Sequence, residues 1–275
     1  MRLAISNIAW DVSEDEQIAA LLNRYSIDAI DIAPGKYFPV PAETTLTDIL
    51  KVKQWWATRG IEITGMQALL FGTIGLNVFG SEESQTALLE HLREVCRIAA
   101  GLGATRLVFG SPKNRDRSGL NDHTALRIAV DFFRRLGETA QEHGVIICLE
   151  PNPACYGANF MLNSAETRTV VEHVAHPSIR MQLDTGAITI NREDPRQVIQ
   201  DSTSLIGHIH ASEPGLLPLG DSTAAHAEIA EELRALLPGL VVSVEMVATS
   251  NEDHAASIER ALIVANRYYR PVAEA

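Results

Sequence analysis

Four residues with metal-ligand chemistry close four apolar runs in the second half of the chain. Glu150 follows Val145-Ile146-Ile147-Cys148-Leu149, and Asp184 follows Ile179-Arg180-Met181-Gln182-Leu183. His210 follows Leu205-Ile206-Gly207-His208-Ile209, and Glu245 follows Leu240-Val241-Val242-Ser243-Val244. A carboxylate at the close of a buried strand is costly unless something neutralises it, and one divalent cation serves several at once. Two Glu, one Asp and one His form a hard, oxygen-rich set suited to Mn²⁺ or Mg²⁺ and tolerant of Co²⁺ or Zn²⁺. Four protein ligands on an octahedral cation leave roughly two positions for substrate oxygens. A small hydroxy-carbonyl compound held there would have its α-proton acidified. A carboxylate on each side of that carbon could remove the proton and return it.

The elements that must carry these residues alternate along the whole chain. The hydrophobic period switches repeatedly between two residues and about 3.6, as βα units require. Strand-like runs stand at Leu3–Ile8, Ala29–Ile32, Ile61–Ala68 and Thr105–Phe109, followed by the four runs above. Helical patterns fall at Gln85–Ala100, Asp122–His143 and Asp253–Tyr269. Arg59-Gly60, Ala100-Gly101 and His143-Gly144 read as helix ends, and Ser164 reads as an N-cap. Eight strand–helix pairs without a long linker predict a single (β/α)8 barrel domain over residues 1–275, an α/β fold. A doubly wound sheet is the alternative, but Ser6-Asn7-Ile8-Ala9-Trp10 stands where a dinucleotide fold would have GxGxxG. In a barrel the C-terminal strand ends form the catalytic face, so all four candidate ligands fall on one rim.

Bulk properties narrow the partners. A net charge of −12 argues against a nucleic-acid partner, whose binding leaves a basic footprint. Cys96, Cys148 and Cys155 have no CxxC spacing and read as reduced thiols. The opening Met1-Arg2-Leu3-Ala4-Ile5-Ser6 lacks the apolar run of a signal peptide, and no segment is apolar for long enough to span a bilayer. The expectation is a cytoplasmic protein acting on a small molecule, with no membrane or nucleic-acid partner.

Glu150-Pro151-Asn152-Pro153, Leu183-Asp184-Thr185-Gly186, His208-Ile209-His210-Ala211-Ser212-Glu213 and Val244-Glu245-Met246 resemble the motifs of the xylose-isomerase-like barrels. More narrowly, they resemble the sugar phosphate isomerase/epimerase group, which includes ketose 3-epimerases, hydroxypyruvate isomerase and inosose dehydratase. The resemblance implies a (β/α)8 barrel with one divalent metal, Mn²⁺ or Mg²⁺, held by Glu150, Asp184, His210 and Glu245. It also implies that Glu150 and Glu245 double as the catalytic acid/base pair of an isomerase or epimerase working through an enediolate. A metal-dependent dehydratase, an endonuclease IV-like nuclease and a non-catalytic metal or sugar binder are the other readings. Relatives are often homodimers or homotetramers. The chain departs from the group's pattern at three substrate contacts: Ala187 replaces a His, Tyr156 a Glu and Leu216 an Arg.

Other residues are therefore expected to contact substrate. His208 shares a strand face with His210 and is either a substrate contact or a hydrogen-bonded core histidine. Gln182 shares a face with Asp184, and Asn152 follows Pro151; either could orient hydroxyls, and Asn152 equally suits a turn. Lys113 and Arg115 lie in the rim loop Ser111–Arg117 and either grip a phosphate or carboxylate or belong to a solvated loop. Phe71–Gly80 reads as a lid or a subunit contact, Trp10 as an apolar wall or packing, and His226 as a helix-surface or capping residue, with substrate contact the alternative.

Overall fold

The structure is a computed structural model and describes residues 1–270. Eight parallel strands close a barrel in sequence order: β1 Leu3–Ser6, β2 Ala29–Ile32, β3 Glu62–Met66, β4 Arg106–Phe109, β5 Ile146–Leu149, β6 Ile179–Asp184, β7 Ile206–Ser212 and β8 Val242–Glu245. Closure comes from β1 pairing with β8, Leu3 opposite Val242 and Ile5 opposite Val244. The helices are α1 Asp15–Arg24, α2 Leu46–Ala57, α3 Glu82–Leu102, α4 Asp122–Glu142, α5 Ser164–Val174, α6 Thr185–Asn191, α7 Pro195–Ser202, α8 His226–Leu236 and α9 His254–Tyr269. Helices cover the outer face of every strand, so the strands read as nearly continuous apolar runs.

The long helices form where one apolar stripe meets good caps. In α4, Ala125, Ala129, Phe132, Leu136 and Ala140 are buried, and Asn121 caps the start by accepting from Thr124 N–H. In α3, Leu88, Leu92, Val95 and Ala99 are buried, and Ser81 caps the start. Several boundary expectations shift, three of them at caps or beside the rim. The α3 helix runs past Gly101 and stops at Gly103, whose φ of +90° is the left-handed conformation that ends a helix. Asn163, not Ser164, is the N-cap of α5, accepting from Glu166 N–H at 2.9 Å. The first strand ends at Ser6, two residues early, because a short 3₁₀ turn begins at Asn7.

Two register shifts set what faces the barrel axis. Between β6 and β7, Met181 pairs with Ile206 but Gln182 pairs with His208, so Gly207 is passed over. The pairing then brings Asp184 opposite His210. Side chains alternate faces along a strand, so without the shift Asp184 would lie opposite the outward-facing Ile209. Between β2 and β3 the same device places Asp31 opposite Gly65. A Cβ at Gly65 would stand 2.4 Å from Asp31 Oδ1, so glycine leaves the space that this carboxylate fills.

Candidate metal centre and substrate cavity

The C-terminal rim brings the four candidate ligands to one point. One ligand atom from each of Glu150, Asp184, His210 and Glu245 lies within 4.8 Å of the others, and all four residues are buried. His210 Nδ1 is 3.2 Å from Glu150 Oε1 and 3.3 Å from Glu245 Oε2. The other nitrogen of His210, Nε2, is buried without a hydrogen-bond partner. Three converging carboxylates in a nearly dry space repel one another unless a cation or protons intervene. Burial, with Glu245 and Glu150 adding repulsion, pushes the Asp184 pKa well above the ordinary carboxylate range. Burial works against an imidazolium at His210, yet the facing carboxylates of Glu245 and Glu150 outweigh it and raise its pKa well above the usual value. Burial also opposes a charged Glu245, but His210 and the amide of Gln67 hold its pKa low. Three oxygen donors and one imidazole nitrogen within a single small sphere fit a divalent cation.

Each carboxylate is aimed by neighbours. Asp184 caps α6: its Oδ1 accepts from Ala187 N–H at 2.5 Å, and its Oδ2 accepts from the Ser212 hydroxyl at 2.7 Å. Ser212 is latched in turn, its N–H donating to Thr185 Oγ1 at 2.8 Å while the Thr185 hydroxyl donates to its carbonyl at 2.7 Å. Gln67 Nε2 donates to Glu245 Oε1 at 2.9 Å, and Asn152 Nδ2 donates to Glu150 Oε2 at 3.2 Å. Gly110 makes room beside Glu150, since a Cβ there would stand 2.0 Å from Glu150 Oε2.

The ligands open onto a cavity of about 360 Å³ between the strand ends and the rim loops. Asn152 lines it. The other expected contacts stand elsewhere. Gln182 is fully buried among the strands with both amide atoms unpartnered, and it does not line the cavity. His208 Nε2 lies 2.9 Å from the buried Asp31 Oδ2, without the alignment of a good hydrogen bond, and His208 borders a cavity at the N-terminal end of the barrel. Lys113 is exposed and outside the lining. Arg115 has no solvent exposure and donates from Nη1 to the Glu150 carbonyl at 2.7 Å, so no anion in the cavity can reach it. Burial lowers the Arg115 pKa to about 10, Glu150 opposing that shift.

Two further expectations resolve toward packing. Trp10 is buried, donates from Nε1 to Asp15 Oδ1 at 2.8 Å and meets Trp56 edge-on, leaving Ile8 to line the cavity. His226 is buried, not on the helix surface; it bridges Glu213 Oε1 at 3.0 Å and the Tyr269 hydroxyl at 2.7 Å. The Phe71–Gly80 segment divides: Phe71 and Ile74 are 87% and 92% exposed, while Val78 is buried. Sequence reasoning passed over Gln67, Asp31 and Ser212. The first two carried a signal, each being a polar residue set inside an apolar run, Ile30-Asp31-Ile32 and Met66-Gln67-Ala68-Leu69.

Comparisons with known proteins agree with this architecture. The family model described as xylose isomerase-like TIM barrel matches residues 19–265. A D-psicose 3-epimerase of Enterocloster bolteae is 28% identical over 107 residues, a stretch covering 38% of this chain and 35% of that protein. The structure of D-psicose 3-epimerase with D-tagatose from Clostridium cellulolyticum H10 superposes with a TM-score of 0.82 at 18% identity, covering 98% of this chain and 99% of that one. A 3-keto-D-glucoside 4-epimerase from E. coli superposes with a TM-score of 0.79 at 18% identity, covering 96% and 98% of the two chains.

Proposed function

The chain belongs to the xylose isomerase-like TIM barrel family, and on that premise we propose that it is a divalent-metal-dependent isomerase or epimerase of a sugar or related small hydroxy-carbonyl compound. The observation that carries this reading is the placement of Glu150 and Glu245. They come from strands three apart around the ring, each within 3.3 Å of the same His210 nitrogen, and both front one cavity. A binder needs ligands, but only proton transfer needs a carboxylate on each side of the bound carbon.

A divalent cation held by Glu150, Asp184, His210 and Glu245 would supply Lewis-acid polarisation of the substrate carbonyl. The residues of the chain do the rest. Gln67 holds Glu245 through Oε1 and so orients its carboxylate to take the α-proton. Asn152 fixes Glu150 in the same way, so the second carboxylate is oriented to return a proton to the enediolate. Asp184, tied to Ala187 N–H and Ser212, has both oxygens held and serves as ligand. The apolar walls keep bulk water from competing for the proton.

The test is α-proton exchange in deuterated solvent, followed by NMR over a panel of ketoses and keto-glycosides with Mn²⁺ or Mg²⁺ supplied. Glu150→Gln and Glu245→Gln should each lower exchange by about 10²–10⁴-fold, the usual worth of a positioned acid or base. Full exchange in either variant would overturn the acid/base assignment. Elimination of water in place of exchange would mark the dehydratase reading instead.

A further inference from the structure

We propose that Asp31 is a positioning residue for the metal centre: together with His208 inside the barrel, it holds the ring of the candidate ligand His210 from behind. The inference rests on the metal-dependent reading above for His210 as a ligand, and on nothing about the substrate.

The inward side chains just beneath the four ligands are polar, where a (β/α)8 barrel is ordinarily filled by branched apolar residues. Gln182 and His208 pair across β6 and β7, each two residues before a candidate ligand and therefore on the same inward face. Asp31 joins them from β2, and all three are buried. None of the three lines the rim cavity, so none touches a substrate held there. A carboxylate buried this deeply is costly unless its charge is matched by groups that it orients.

Local devices aim that carboxylate. The register shift between β2 and β3 sets Asp31 opposite Gly65, whose missing side chain leaves the space that Oδ1 fills. The Thr64 hydroxyl donates to Oδ1 at 3.2 Å, and Oδ2 stands 2.9 Å from His208 Nε2. The His208 ring meets that of His210 at right angles, with centroids 5.1 Å apart. One oxygen of Asp31 and one ring nitrogen each of His208 and His210 lie within 4.8 Å of one another. Among the described residues, Asp31 is the acid grouped with His210 outside the four ligands. His210 Nδ1 faces Glu150 and Glu245, and its Nε2 is the buried atom left without a hydrogen-bond partner. A metal-bound imidazole carries its proton on the nitrogen that the metal leaves free, and a carboxylate that accepts from that nitrogen fixes the ring. A span of this size suits one bridging water between His210 Nε2 and Asp31. Burial opposes a charged Asp31, but His208 and then His210 outweigh it and hold its pKa below the usual value.

The experiment measures Mn²⁺ affinity and stoichiometry by chelator competition in the full chain, with the absorption spectrum of the Co²⁺-loaded protein as a second reading. Asp31→Asn keeps the side-chain shape and removes the charge; affinity should fall about 10–100-fold, the usual effect of removing such a partner. The Co²⁺ bands should shift with it, because the bonded imidazole has turned. A purely structural role would lower the thermal midpoint and leave both readings unchanged. His208→Leu should give a similar loss, and the double variant no more than either alone, since the two residues act as one unit. His208→Gln, whose amide can donate to Asp31 in place of Nε2, should recover most of the affinity. Wild-type affinity and an unchanged Co²⁺ spectrum in folded Asp31→Asn overturn the inference. So do two bound Mn²⁺ per chain with one lost in Asp31→Asn, which would make Asp31 itself a ligand. Should Asp31→Asn not fold, the His208 pair decides: equal affinity in His208→Leu and His208→Gln overturns the inference. A wild-type protein that binds no divalent cation strikes the metal-dependent reading and this one with it, whereas failure in the variants alone leaves that reading standing.

Discussion

The guanidinium of Arg115 lies behind the candidate ligand Glu150, its Nη1 donating to the main-chain carbonyl of Glu150 at 2.7 Å from a position with no solvent exposure. A residue of a loop that reads in sequence as basic and outward-facing is thus a fixed internal cation beside Glu150. Its Nε and Nη2 have no partner, so the arginine is held by position and charge more than by saturation of its donors. Arg115→Ala would leave a void and an unpaired carbonyl under the strand end. A loss of about 3 kcal/mol in urea unfolding is expected. A loss below about 1 kcal/mol would show that the buried charge contributes nothing net.

Gly110 tests the geometry of the centre without replacing a ligand residue. The added Cβ in Gly110→Ala would stand 2.0 Å from Glu150 Oε2 and 3.1 Å from its carboxyl carbon. The end of a flexible side chain can move aside, so the fold should survive with an unchanged unfolding midpoint. The displaced Glu150 should weaken Mn²⁺ affinity by about 10–100-fold in a chelator competition titration. Wild-type affinity in this variant would mean that Glu150 is not a ligand in the position seen.

Gly207 tests the register. A Cβ there would meet Arg180 Cβ at 2.7 Å and Cys148 Sγ at 3.1 Å, at the residue passed over between β6 and β7. Gly207→Ala should cost about 1–3 kcal/mol in thermal or urea unfolding, the usual penalty for overpacking a tight core. Its cost should appear together with weaker metal binding, because Asp184 and His210 face each other only through this shift. Destabilisation with metal affinity intact would separate the two.

Metal binding should release protons. Burial and the neighbouring Glu245 and Glu150 raise Asp184, and the same carboxylates raise His210 against the cost of burial. Both groups must be deprotonated to act as ligands, so affinity falls as pH falls through their raised pKa values and rises as pH increases. Calorimetry in buffers of different ionisation enthalpy measures the number released. A count of zero in mildly acidic buffer would contradict the raised pKa values.

Much of the barrel was legible in the chain because its evidence is local. Alternation of apolar runs with helical stripes such as Leu88-Leu92-Val95-Ala99 is written in consecutive residues. So are the four candidate ligands, each the first polar residue after an apolar run or its near neighbour. The errors share a cause. Composition makes Arg115 a candidate grip for a substrate anion, since a rim loop with three basic residues invites that reading; its burial depends on which strands close over it. Gln182 was placed on the face of Asp184 correctly, yet depth along the barrel axis, not face, decides whether a residue reaches the cavity. Gln67 aims Glu245 from 178 residues away, a pairing with no mark in either segment.

By itself, then, the sequence determined which residues can be ligands, which strand carries each, and that all of them share one rim, because strand period and strand end are properties of short stretches. The tertiary structure alone decided that Asp184 stands opposite His210, that Arg115 turns inward beneath Glu150, and that Ala187, Tyr156 and Leu216 border one cavity. Register between parallel strands and the direction of a loop side chain depend on contacts between segments far apart in the chain, and periodicity within one segment fixes a face but not its partner.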